Sequence, residues 1–175
     1  MAETFVHLRV HSEYSMVDGL VRVKPLVSRV AELGMPAVGL TEQSNMCSLV
    51  RFYKAALGAG VKPIIGADLW LENPDEPDNP FRLTLLARNG DGYLNLTEIV
   101  SLGYTDGQRF GKPIIEKRWL EARREGLIAL SGAKLGDVGK ALLAGKEELA
   151  RERAAYWRDL YPDSYYLELQ RTGRP

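Results

Sequence analysis

The chain has a single cysteine, Cys47, among 175 residues. One thiol excludes an internal disulfide framework and fits a reducing compartment. There is no surplus of either charge: Lys plus Arg and Asp plus Glu each number 23. A domain without a basic excess does not hold nucleic acid mainly through its net charge. No apolar run approaches the length of a membrane span, which excludes a transmembrane helix and a membrane partner of that kind. The opening residues Met1-Ala-Glu-Thr-Phe5 lack the basic and apolar regions of a secretory signal. Internal repeats and low-complexity tracts are also missing. The expectation is a soluble, cytoplasmic protein, and a hydrophobic content of 45% is enough for one sizeable core.

What is present is an alternation of short apolar stretches with amphipathic ones. Residues 4–10 read as a strand. A helix is expected over 25–33, where Leu26, Val30 and Leu33 share a stripe, Pro25 suits the first turn and Gly34 the stop. A strand follows at 37–41. Asn45 then reads as the cap of a helix carrying Met46, Leu49, Val50, Tyr53 and Leu57. Residues 62–71 read as a longer strand with a bend at Gly66. Beyond the turn-rich segment Asn73–Pro80, strands are expected at 81–87, 126–131 and 165–170. Helices are expected at 93–102 and 115–124, and one or two more over 137–160 with a weak point at Gly145. The segment Gly107-Gln-Arg-Phe-Gly-Lys112 lacks a phosphate-loop pattern and reads as a flexible loop. The alternation predicts an α/β fold with parallel strands and helical crossovers, one domain spanning residues 1–175.

Strand alternation in the first segment would put His7, Arg9 and His11 on one face and Val6, Leu8 and Val10 on the other. Two imidazoles suggest a metal or phosphate site, but a fixed cation stands between them. Thr41, Glu42 and Gln43 end the second strand and Asp68 lies in the third. Polar residues from separate strand ends converge at a barrel mouth. Arg9 is therefore able to neutralise Glu42, Asp68 or Glu13, and a salt bridge from Arg9 to Glu42 is the expected use of that carboxylate. His7 reads as a hydrogen-bonding residue, whereas His11 is open between a remnant ligand and a structural role. Cys47 is expected in packing beside Met46 and Leu49. Trp70, Trp119 and Trp157 are expected to pack rather than stack on bases. The charge run Glu147–Arg158 reads as a solvated helix face.

Several long runs carry a family resemblance. They are His7-Leu-Arg-Val-His-Ser-Glu-Tyr-Ser15, Asp18-Gly-Leu20, Leu33-Gly-Met-Pro-Ala37, Phe52-Tyr-Lys-Ala55 and Gly60-Val-Lys-Pro-Ile-Ile-Gly-Ala-Asp68. Later come Leu85-Leu-Ala-Arg-Asn89, Gly92-Tyr-Leu-Asn-Leu96, Gly126-Leu-Ile-Ala-Leu-Ser-Gly132 and Tyr166-Leu-Glu-Leu-Gln-Arg-Thr-Gly-Arg-Pro175. In order and over the whole chain, they closely resemble the polymerase-and-histidinol-phosphatase (PHP) domain at the N-terminus of bacterial replicative polymerase III α subunits, in its proteobacterial form. The resemblance implies a PHP-type (β/α)7-like barrel, incomplete at the C-terminus and truncated before its final strands.

It also implies a history for the polar set. Active relatives hold a trinuclear metal cluster. Their first His-x-His pair falls on Arg9 and His11, their Asp-His on Glu42 and Gln43, a Glu on Asp68 and a later His on Thr172. These are remnant metal-site positions, with no catalytic residue and no metal expected. If an ion were held, His11, Glu42 and Asp68 would hold it. A guanidinium has no lone pair to offer, and a unit charge ~4 Å from another costs roughly 4 kcal/mol at an effective dielectric of 20. The implied role is a non-catalytic module that supports the polymerase and docks the proofreading 3′–5′ exonuclease subunit. Such a module meets DNA only through the parent enzyme. It needs no cofactor of its own, whereas the intact polymerase uses magnesium. The alternative is a residual metal-dependent phosphoesterase or pyrophosphatase.

Overall fold

A computed structural model describes residues 5–169. The chain divides after Asp68 into two compact units.

The first unit contains a 3-10 helix (Glu13–Asp18), α1 (Val23–Glu32), β1 (Ala37–Gln43), α2 (Leu49–Gly58) and most of β2 (Lys62–Leu71). The apolar residues Val23, Val27 and Val30 recur at helical spacing along α1 and are buried. They close on Val38 and Leu40 of β1 and on Phe52 and Ala56 of α2. Full burial of a side chain such as Phe52 contributes about 1.5–3 kcal/mol. β1 and β2 pair in parallel, in register from Ala37↔Lys62 to Gln43↔Asp68.

Two expectations fail in this unit. Asn45 does not cap α2, because its side chain is committed to the loop. Its Oδ1 accepts from the Cys47 amide, and its Nδ2 donates to the carbonyls of Tyr14 and Gln43. The helix starts only at Leu49, which leaves Cys47 in the loop and exposed rather than packed.

The other failure is the regular first strand. The Gly39 amide donates to the His7 carbonyl at 2.6 Å and the Thr41 amide to that of Val10 at 2.9 Å. A parallel ladder would match amides two apart with carbonyls two apart. Here the carbonyls are three apart, so one extra residue is inserted, as in a bulge. Gly39 admits it, since a Cβ there would lie 2.6 Å from the Leu8 carbonyl oxygen. The insertion breaks the alternation: Val10 packs on the core, Leu8 is 41% exposed, and exposed His7 meets the Phe5 ring edge-on.

The second unit carries β3 (Phe81–Ala87), α3 (Gly90–Thr105), β4 (Gln108–Arg109), β5 (Lys112–Ile115), α4 (Lys117–Ala122) and β6 (Leu127–Leu130). A 3-10 turn (Ala133–Leu135), α5 (Asp137–Leu143), α6 (Glu147–Leu160) and β7 (Tyr165–Tyr166) follow. The strands line up as β4-β5-β2-β3-β6-β7. The end of β2 pairs in parallel with β5, and β6 with β7, but β3–β6 and β4–β5 are antiparallel. The fold is α/β as expected, with a mixed rather than wholly parallel sheet.

The segment expected to be a flexible loop is a tight hairpin. Phe110 (φ 53°) and Gly111 (φ 72°) form its two-residue turn, and turns with both residues left-handed match the twist of the flanking strands. Ile115 belongs to β5 and is buried, so α4 starts later than expected. Gly145, at φ 70°, separates α5 from α6. Trp119 and Trp157 are buried packing residues. Trp70 is half-buried between two cations, with the Arg82 guanidinium 3.9 Å and the Lys112 ammonium 4.7 Å from its ring centre. The Trp157 Nε1 donates to both oxygens of the buried Asp137 carboxylate, at 3.0 and 2.9 Å.

Candidate functional site

The predicted site residues Arg9, His11, Glu42, Gln43 and Asp68 lie in the first unit, and they form two groups. The first is built on Asp68, which is 0% exposed. Arg9 donates to its Oδ2 through Nε at 2.9 Å and Nη2 at 2.6 Å. The His11 Nε2 stands 2.9 Å from the same oxygen, and its Nδ1 is 3.1 Å from an oxygen of Asp18. The imidazole thus bridges a buried carboxylate and a half-exposed one, with neither ring nitrogen left for a metal. The short guanidinium contact is a charge-assisted hydrogen bond, among the stronger kinds a protein makes.

The second group is built on Glu42, 2% exposed in β1. Its Oε2 accepts from the Ser12 amide at 3.0 Å and from the Ser15 hydroxyl at 2.5 Å, and its Oε1 accepts from the Ser12 hydroxyl. Ser12 also caps the 3-10 helix, accepting from the Tyr14 amide. The Ser15 hydroxyl in turn accepts from the Gln43 amide at 2.8 Å. A carboxylate here is satisfied by neutral donors from a helix start, and the expected Arg9–Glu42 salt bridge does not form.

Strand geometry explains the split. Adjacent residues on a strand face opposite ways, and residues in register across a parallel pair share a face. Gln43 is in register with Asp68, so Asp68 lies on the opposite face from Glu42. Glu42 follows Val38 and Leu40 on the face that carries the core. Gln43 serves the Asp68 side, its Nε2 donating to the Asp68 carbonyl at 3.0 Å and to the Ser44 hydroxyl. Thr172 lies outside the described residues.

Among the described residues, no three His, Cys, Asp or Glu side chains are placed to hold a metal ion. The candidate donors are engaged with other protein groups. The Asp68 oxygen already carries a guanidinium, both His11 nitrogens face carboxylates, and Glu42 is enclosed by hydroxyls. Ser12, Ser15 and Asp18 were not among the site residues read from the sequence. The signal available for Ser12 was its place before the acidic Glu13 at a helix start.

The model of the PHP domain matches residues 7–172. The chain therefore belongs to the PHP domain family. Its relatives include the DNA polymerase III subunit alpha of Pseudomonas fluorescens, 57% identical over 176 residues. The subunit of Escherichia coli strain K12 is 51% identical over 171 residues, and that of Haemophilus influenzae 45% over 171. These alignments cover 98–100% of this chain, which spans about 15% of the length of the curated relatives it matches. An amidohydrolase structure from Chromobacterium violaceum, with sulfate and no metal, aligns over 54% of this chain and 32% of its own, at 18% identity and a TM-score of 0.43.

Proposed function

We propose that this chain is the PHP domain of a replicative DNA polymerase III α subunit and that it works there as a scaffold, without hydrolytic chemistry. The observation that carries the second half is the Arg9–Asp68 ion pair at 2.6 Å, which occupies a carboxylate that a metal would require. On this reading residues 1–175 belong to one domain, supporting the polymerase and docking the proofreading 3′–5′ exonuclease subunit. Magnesium and DNA are handled by the rest of the α subunit, in the cytoplasm. Among the described residues, no helix is long and apolar enough to cross a membrane.

Two measurements test the two halves. Elemental analysis and phosphoester or pyrophosphate hydrolysis with added manganese or zinc should give no stoichiometric metal and no turnover. Bound metal together with turnover that vanishes in His11→Ala would reject the scaffold reading and restore the phosphoesterase alternative. Co-elution with the proofreading subunit tests docking. Failure of both this chain and a complete α subunit to retain it would reject that role.

A further inference from the structure

In the first unit, α2 is apolar on two sides. Its inner side carries Phe52 and Ala56, buried in the core. Its outer side carries Val50, 64% exposed, Tyr53, 48%, and Leu57, 55%. Residues three and four apart are neighbours on a helix surface, so these three side chains form one continuous stripe. A Cβ added at Gly58 or Gly60 would meet nothing within 4 Å, so the stripe ends in open space. Single exposed apolar side chains are ordinary on protein surfaces, but a stripe at this spacing is how a helix meets another helix. The exposed side of α6 is built differently. It carries Glu147, Glu148, Arg151 and Arg158, which water satisfies.

The charges beside the stripe define what can cover it. α2 carries two charged residues, Arg51 and Lys54, and both are exposed cations. They are three apart and border the stripe along one edge. Neither has an ion pair among the described residues, and the Arg51 guanidinium lies 5.9 Å from the centre of the Tyr14 ring. A second copy of this chain would bring no carboxylate on its own α2, so both cations would stay unmatched. Three side chains also fall well short of the ~800 Å² per partner that a stable interface between folded proteins buries. A patch one helix wide suits a single helix.

Flanking charges of opposite sign select the partner of such a helix and fix its register. We propose that the outer face of α2 docks an amphipathic helix of another polypeptide. That helix sets an apolar stripe on Val50, Tyr53 and Leu57 and holds Asp or Glu side chains against Arg51 and Lys54. None of these residues belongs to the groups around Asp68 and Glu42.

The test selects binders of this chain from a displayed library of helical peptides. Their apolar stripe is fixed as leucine, and the flanking positions vary among Glu, Lys, Gln and Ala. Selected peptides should be enriched in Glu on one flank. Their affinity, read by fluorescence anisotropy, should fall about tenfold in Tyr53→Ser and in Leu57→Ser, and it should weaken with added salt. The double variant Arg51→Glu/Lys54→Glu should lose the Glu-flanked peptides and take up Lys-flanked ones instead. The substituted side chains are exposed, so the variants keep the fold, which far-UV circular dichroism verifies. Sedimentation equilibrium of the chain alone should give a monomer. A dimer that Leu57→Ser dissolves would overturn the proposal in favour of a second copy. Enrichment of Lys-flanked or uncharged peptides, binding unchanged in the serine variants, or no binder at all would also overturn it.

Discussion

Asp68 and Glu42 are both buried carboxylates of the first unit, and they are stabilised in opposite ways. Asp68 is met by a guanidinium and an imidazole. Glu42 is met by a backbone amide and two hydroxyls. The difference teaches that the strand register decides which chemistry a buried charge receives. A charge matched by a charge is costly to break from one side, because the survivor is left buried and uncompensated. A charge matched by neutral donors leaves behind only groups that can find each other or water.

That contrast can be broken experimentally. The largest effect is expected from Asp68→Ala, which leaves Arg9, 17% exposed in its side chain, without its carboxylate. Urea unfolding should show a loss of about 3–5 kcal/mol. A smaller loss is expected from Glu42→Gln, about 1–3 kcal/mol, since the amide keeps one acceptor for Ser12 or Ser15. A Glu42→Gln variant that costs more than Asp68→Asn in the same assay would reverse the comparison. Ser15→Ala removes one donor from Glu42 and should cost about 1 kcal/mol by thermal melting. The sharpest arm is the double change Arg9→Met/Asp68→Leu. Apolar replacement of a whole buried pair is often neutral, so its stability should return to within about 1 kcal/mol of the parent. A double variant as unstable as Asp68→Ala would mean that His11, not Arg9, carries the interaction.

The sequence made part of this visible. Helical spacing and a terminal glycine placed α1 to within two residues at its start, and β2 matched its expected span. The hairpin at Phe110–Gly111 was hidden because its first turn residue is an aromatic, where Asn or Asp would have announced the left-handed backbone. The bulge in the opening segment was hidden because its cause, the contact of Leu8 with Gly39, is made across the fold. The candidate residues themselves were legible through their family positions. Their partition was not, because it depends on Asp68 standing opposite Gln43, a register fixed by long-range pairing.

Gly39 takes no part in any chemistry, yet the opening segment is moored against β1 by the hydrogen atom it has in place of a side chain. A methyl group there would push Leu8 outward, and Arg9 would be carried off with it. Asp68 would then face solvent-free space with one cation fewer, while Glu42 kept the Ser15 hydroxyl, which reaches it from beyond the moored stretch.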